Sequence, residues 1–421
     1  MMNLLSKTSW AFLLLITATL VLQANHPTWQ NHLQNDVIVH QEQVKYYQKT
    51  GSWSNIKAKD YQPGALWLFL LPSLFGGPSQ SFNAYLNITL FINILLIIGH
   101  FYLYKHFGPP GASIFFLILL LAMGPLLLFR FDLAVTSLVL LTWLSFTHQR
   151  LSLAGFLLGV AIATKLYPIV LLPIMAAQLL KNYLFRKFAL FSLSVFLGAT
   201  LIVAPFLISS GSLIDISDSF DNYLVKPVGL ESLWASGLTI IWQIKSSTRP
   251  AIDGSHYIQG IAPSATFLSQ SFYNNFWLFP VGLITLFIIQ LFWSKKYGYA
   301  YPIIPLTLLT TFVISLKVLA PQYLWWAFSF VPLINFSNPR APKTTFIMPI
   351  ILVATLVLTQ LIYPINYSQF ISWFQDATTD PGPFLISLER NILLIIFFIL
   401  LLSQLWSTRK PALDTKTGPS Q

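Results

Sequence analysis

The chain of 421 residues is 55% hydrophobic and 15% aromatic but only 9% charged, with a mean hydropathy of +0.67. A soluble globule carries about a quarter of its residues as charges, so this composition excludes one. The formal net charge of +11 does not point to nucleic acid, because the bases are spread over short connections rather than gathered into one patch with interleaved aromatics.

Apolar runs of about 20 residues suffice to cross a hydrocarbon core, and such runs recur from Ser9 to Trp406. In chain order, Ser9 to Gln23 reads as a retained first helix, since no small-x-small cleavage site follows it. An outer loop at residues 25–62 comes next. Gly64 to Phe75 is apolar but about 12 residues long, where a span needs about 17 or more, so a re-entrant or juxtamembrane segment is expected there. Residues 80–104, 111–129, 131–147, 151–164, 167–180 and 188–208 then zigzag, and an outer loop at 209–270 follows. Later spans are expected at 271–294, 299–316, 321–336, 344–363 and 385–406, with a third outer loop at 364–384. The expectation is one all-α, polytopic domain over residues 1–406 with about 12 transmembrane helices, and a disordered tail at 407–421.

Threaded this way, Lys7, Lys105, Arg150, Lys181, Arg186, Lys187, Lys295, Lys296, Arg340, Lys343, Arg409 and Lys410 emerge on one face, which the positive-inside rule makes cytoplasmic. With Lys416, that side holds 13 bases and one acid, Asp414; the other holds 11 bases and 12 acids. Both termini are therefore expected in the cytoplasm and the polar chemistry outside, at a bacterial plasma membrane. The absence of cysteine excludes a disulfide, a thiolate zinc site and a Cys nucleophile.

Charges near hydrocarbon are costly and tend to be kept for function. Those expected at outer helix ends are Arg130 and Asp132 in FRFDL, Lys165 in ATKLYP, Lys226 and Glu231 in VKPVGLESL, and Lys317 at the start of KVLAPQYLWW. With Asp36 in the first loop they suit a lipid-linked phosphate and a polar reaction. Each cation has a plainer reading, a side chain snorkelling to the interface. Asp36 also has one, the cap of a helix beginning at Val37. His26, His32, His40 and His256 are weaker signals, with no convincing zinc spacing; His256 is the one placed to fold over an acceptor.

Three blocks carry a family likeness: NDVIVH…YYQKTG with YQPGALWLFLLP, then FRFDL with AGFLLGVAIATKLYPIVLLP, then GLESLWAS with KVLAPQYLWW. Running in this order from about residue 35 to 330, they resemble the GT-C superfamily of glycosyltransferases. The likeness is to the polyprenyl-phosphate-mannose-dependent mannosyltransferases of family 87 and, more distantly, the first GPI mannosyltransferase. The resemblance implies an inverting transfer of a sugar, mannose by analogy, from a polyprenyl-phosphate donor to a hydroxyl of a glycolipid or glycan acceptor. Asp36 matches the family's first-loop aspartate and is the expected general base. Arg130, Lys165, Lys226 and Lys317 are the candidates for donor phosphate. Asp132 and Glu231 are expected as ion-pair partners or ligands to sugar hydroxyls. Gln322 and Tyr323, opening a helix after Pro321, are candidates for contact with sugar or phosphate, or for an interfacial belt. Tyr61, with Pro63 and Trp67, would flank lipid or stack on a sugar, or simply anchor the segment. Some relatives carry two acids in the first loop where this chain has Asn35-Asp36, so no metal and no other cofactor is expected. A ligase or polymerase of lipid-linked oligosaccharide is the nearest alternative, and a transporter or flippase of lipid-linked sugars the next.

Overall fold

The computed structural model describes residues 2–53, 61–76, 80–181, 184–210, 228–246, 281–282, 284–285, 302–335, 346–376 and 379–407. These are helical almost throughout, with no strand among them. Lys226, His256, nearly all of the expected loop at 209–270 and span at 271–294, and the tail beyond Ser407 lie outside the described residues.

The first helix, α1 (Met2–Ala24), is followed by α2 (Pro27–Thr50), so the stretch expected as the loop 25–62 contains a long helix that starts at Pro27 rather than at Val37. Proline suits the first helical position, and no glycine or proline interrupts the chain from there to Thr50. Leu33, Val37, His40 and Val44 are buried at the spacing of one helical face. Gly51, at φ +71°, ends the helix in the left-handed conformation that glycine adopts freely. Asp36 therefore stands in the interior of α2, and the cap expected for a helix starting at Val37 does not exist.

α3 (Pro63–Gly76) is the short apolar segment. Its 14 residues reach about 21 Å at helical rise, less than a hydrocarbon core of about 30 Å. A Cβ on Gly64 would stand 2.3 Å from Thr164 Oγ1, so α3 begins directly against the end of α7. The following helices are α4 (Phe82–Phe107), α5 (Ala112–Met123), α6 (Asp132–Thr147), α7 (Leu151–Thr164), α8 (Leu171–Lys181) and α9 (Phe185–Ser210). After them come α10 (Leu233–Ser246), α11 (Ile303–Ser315), α12 (Tyr323–Phe328), α13 (Ile347–Gln360), α14 (Tyr367–Gln375) and α15 (Gly382–Ser407). The expected loop at 364–384 thus contains a helix as well, because Phe370, Trp373 and Phe374 bury one face of it.

Five described helical stretches are long and apolar enough to cross a membrane: Phe82–Phe107, Ala112–Phe129, Phe185–Ile208, Ile347–Ile365 and Gly382–Leu405. Apolar helices over Asp132–Thr147, Leu151–Thr164, Tyr167–Lys181, Ile303–Ser315 and Tyr323–Leu333 match other expected spans in position but are shorter. Only 22% of the most apolar window of Phe185–Ile208 is buried, leaving Leu193, Phe196, Leu197, Leu201 and Ile208 exposed. An apolar face of that extent is unfavourable in water and suits hydrocarbon.

Among the described residues, α7 and α9 pack backbone against backbone. A Cβ on Gly155 would meet the Phe191 carbonyl oxygen at 2.4 Å, one on Gly159 the Val195 carbonyl oxygen at 2.0 Å, and one on Gly198 the Phe156 carbonyl oxygen at 2.2 Å. The small-residue spacing of Gly155 and Gly159 lets the two backbones touch, as at helix crossings inside membranes. This crossing fixes the C-terminal end of α7, from which Lys165 projects.

Candidate functional site

The turn between α5 and α6 positions Arg130 and Asp132. Gly124, at φ +69° and pressed against the Gln360 amide, stops α5. The chain then makes a buried 3-10 turn over Gly124–Phe129, tied down by Asn93 Nδ2 donating to the Leu128 carbonyl at 2.7 Å. Arg130 caps this turn in extended conformation, and α6 starts at Asp132. The two residues diverge into separate clusters.

In the first, the buried Arg130 guanidinium forms an ion pair with Asp36 and donates to the Tyr363 hydroxyl at 3.2 Å. Tyr363 in turn donates to the His32 carbonyl at 2.6 Å. Its backbone is extended (φ −128°, ψ 121°) between helical residues, and this break turns the ring toward α2. His32 sits edge-on to Tyr367 at 5.6 Å, and its Nε2 is 3.1 Å from Ser368 Oγ, so α2 and α14 are held together beside the ion pair.

In the second, Lys165 Nζ donates to Asp132 Oδ1 at 2.7 Å, and Trp326 Nε1 donates to the same oxygen at 2.6 Å. The ammonium lies over the rings of Phe131 (4.6 Å), Trp326 (4.8 Å) and Tyr323 (5.1 Å). Asp132 in the first turn of α6 and Lys165 at the end of α7 also complement the two helix dipoles. Tyr61 borders this cluster, edge-on to Phe131 at 6.2 Å, to Phe69 at 5.0 Å and to His40 at 5.6 Å. Burial, reinforced by the Lys165 charge, pushes the His40 imidazole down to about 3, which keeps it neutral.

A third group closes the site. Gly229 N–H donates to the Lys317 carbonyl at 2.9 Å, Trp234 Nε1 donates to the Ser315 carbonyl at 3.3 Å, and Asn391 Nδ2 donates to Ser236 Oγ at 2.8 Å. The fully buried Arg390 donates to the Glu231 carbonyl. These bonds seat the segment 228–232 between α11 and α15 and present Glu231 to the interior. Burial pushes its carboxyl up to about 7, against the opposing pull of Arg390 and Arg130. Burial also lowers the Lys317 amine.

Asp36, Arg130, Glu231, Gln322 and Tyr363 line one cavity of about 440 Å³, with His32, Asn35 and Tyr367 beside them. Its volume falls in the range of small-ligand sites, about 300–1,000 Å³. Arg130 Nε, Glu231 Oε2 and Gln322 Oε1 are buried there without a hydrogen-bond partner among the described residues, and buried polar groups left so call for an explanation. In one cavity, a carboxylate can accept a proton and the fixed guanidinium can hold an anion. Among the described residues no three His, Asp or Glu side chains converge as a metal would require.

Of the residues expected from sequence, Asp36, Arg130, Glu231 and Gln322 therefore meet on one cavity wall. Asp132, Lys165 and Tyr323 form the adjacent cluster, the Lys317 carbonyl holds the wall residue Gly229, and Tyr61 borders the adjacent cluster through Phe131. Sequence reasoning missed Tyr363, Tyr367 and Arg390 and took His32 as a loop residue. Arg390 satisfied the criterion applied elsewhere, an ionisable group near an end of an apolar run expected to face outward; the two tyrosines carried no signal of their own. No protein-family model matches the chain, and no curated protein matches it.

Proposed function

We propose that the chain is an inverting glycosyltransferase that moves a sugar, mannose by its resemblance to family 87, from a polyprenyl phosphate to a hydroxyl of a glycolipid or glycan acceptor. The observation that supports this best is the cavity wall itself, where a solvent-reachable carboxylate, a buried guanidinium and unpartnered polar atoms of Glu231 and Gln322 converge. In this reading Arg130 receives the donor phosphate and Asp36 is the base. The acceptor hydroxyl gives its proton to Asp36 as its oxygen bonds to the anomeric carbon. The bond from that carbon to the phosphate oxygen breaks, and its electron pair leaves with the polyprenyl phosphate. A positioned base contributes about 10²- to 10⁴-fold, and a fixed cation at the departing phosphate lowers the barrier further. Glu231 and Gln322 hold sugar hydroxyls, while Lys165 is engaged by Asp132.

The proposal includes about 12 spans read from the apolar runs and a bacterial plasma membrane, with cytoplasmic termini and an outward-facing cavity that rest on the charge count of the connections. The purified protein incubated with a panel of polyprenyl-phosphate sugars and glycolipid acceptors should transfer one of them. Transfer only from diphosphate-linked oligosaccharide would replace this reading with the ligase alternative.

A further inference from the structure

The ion pair between Arg130 and Asp36 bears on how the proposed base is switched on. The two side chains are unequally fixed: 7% of Arg130 is exposed and 40% of Asp36. Arg130 is held at the wall by burial and by the Tyr363 hydroxyl. Asp36 reaches it from α2 and also faces the open cavity, so the carboxylate is the partner able to swing away. A carboxylate beside a guanidinium is a poor proton acceptor, because the cation favours the charged form. A guanidinium fork accepts carboxylate and phosphate with the same paired geometry. Among the described residues Arg130 is the sole Lys or Arg on this cavity wall, so an entering anion and Asp36 contend for one cation.

Resting on the functional reading above, we infer that Asp36 occupies, in the ligand-free protein, the place on Arg130 that a substrate's phosphate group takes, so that phosphate binding displaces Asp36 and releases it as a proton acceptor. The base is then generated only when donor is in place. Donor binding precedes acceptor deprotonation, and an empty site does not activate water. The shared chemistry is a phosphate oxyanion, carried on a lipid or free in solution.

The test uses the purified full-length protein in detergent. Asp36→Asn removes the contending charge at nearly constant size, and Asp36→Ser removes it independently, in case one variant folds poorly. A polyprenyl monophosphate should bind each variant about fivefold more tightly than it binds the parent, the scale of a half-exposed ion pair. Inorganic phosphate is titrated in parallel. Tightening of both ligands supports exchange at the phosphate itself, and tightening of the lipid alone supports exchange with a lipid-borne phosphate. On an Arg130→Gln background the Asp36 substitutions should leave affinity unchanged. Equal or weaker lipid binding by both Asp36 variants overturns the exchange without touching the role of Asp36 as base, which turnover decides. Parental turnover by Asp36→Asn with tightened lipid binding, conversely, removes the base and keeps the exchange.

Discussion

Lys165→Met tests whether this lysine serves the fold or the ligand. Asp132 is 1% exposed and Lys165 13%, and they meet at 2.7 Å. Removing one partner of a buried ion pair costs about 3–5 kcal/mol, because the other charge stays buried without compensation. Three aromatic rings around the ammonium add a cation–π contribution of about 0.5–2 kcal/mol. Trp326 still donates to Asp132 in the variant, and methionine fills the space of the lysine stem, so a loss of about 4 kcal/mol is expected, or about a thousandfold in the unfolding equilibrium. Adding Asp132→Asn removes the stranded charge and keeps an acceptor for Trp326. The double variant should therefore recover most of the loss. SDS-driven unfolding in mixed micelles, run as a double-mutant cycle, measures both values. Polyprenyl-phosphate binding by Lys165→Met should stay near parental, whereas Arg130→Ala should weaken it by about 1.5–3 kcal/mol, the scale of a charged hydrogen bond. A Lys165→Met protein within about 1 kcal/mol of the parent in stability, but as poor in lipid binding as Arg130→Ala, would refute the assignment.

Gly159→Val places methyl groups where the Val195 carbonyl oxygen stands 2.0 Å from a Cβ, so the α7–α9 crossing should lose at least 1–3 kcal/mol as judged by thermal unfolding, roughly the range for overpacking; an unchanged midpoint argues against backbone contact there. Glu231, raised by burial to about 7 from 4.5, holds a proton that the unfolded chain has released between those values. Stability should fall as pH rises through that window and level off above it, and Glu231→Gln should flatten the profile; a parental profile as flat as the variant's rules out the raised carboxyl. Asn35→Cys, alone in a chain without native cysteine, should label with an impermeant thiol reagent in intact cells, and labelling of Lys410→Cys in its place reverses the proposed topology.

The apolar spans were the legible part of the fold. The run expected at 80–104 is the helix Phe82–Phe107 and that expected at 385–406 is Gly382–Ser407, since long hydrophobic stretches leave few alternatives to a helix. The start of α2 was placed ten residues late, at Val37 instead of Pro27, because its polar face dominates its composition; the buried stripe of Leu33, Val37, His40 and Val44 shows only when helical period is tested along the whole segment. Asp36 was singled out for its neighbours in sequence, but its pairing with Arg130 joins residues 94 positions apart and depends on how α2 lies against the turn after α5. The same holds for Tyr363, brought to Arg130 by a break in a helix that hydropathy shows as continuous. Nothing local in the sequence reveals that Lys165 pairs with Asp132, which Trp326 also holds.

Turnover by Asp36→Asn tests the central claim most directly. Asp36 sits inside α2 and is 40% exposed, and the amide oxygen can still accept from the buried Arg130, so the variant should stay folded, at a cost of about 1–3 kcal/mol. With a β-linked polyprenyl-phosphate sugar that the parent uses, the variant should transfer about 10²-fold more slowly or worse, and the parental product should carry the α configuration expected of a single displacement. Near-parental turnover by the variant, or a β product from the parent, would contradict the assignment of Asp36 as the base of an inverting transfer.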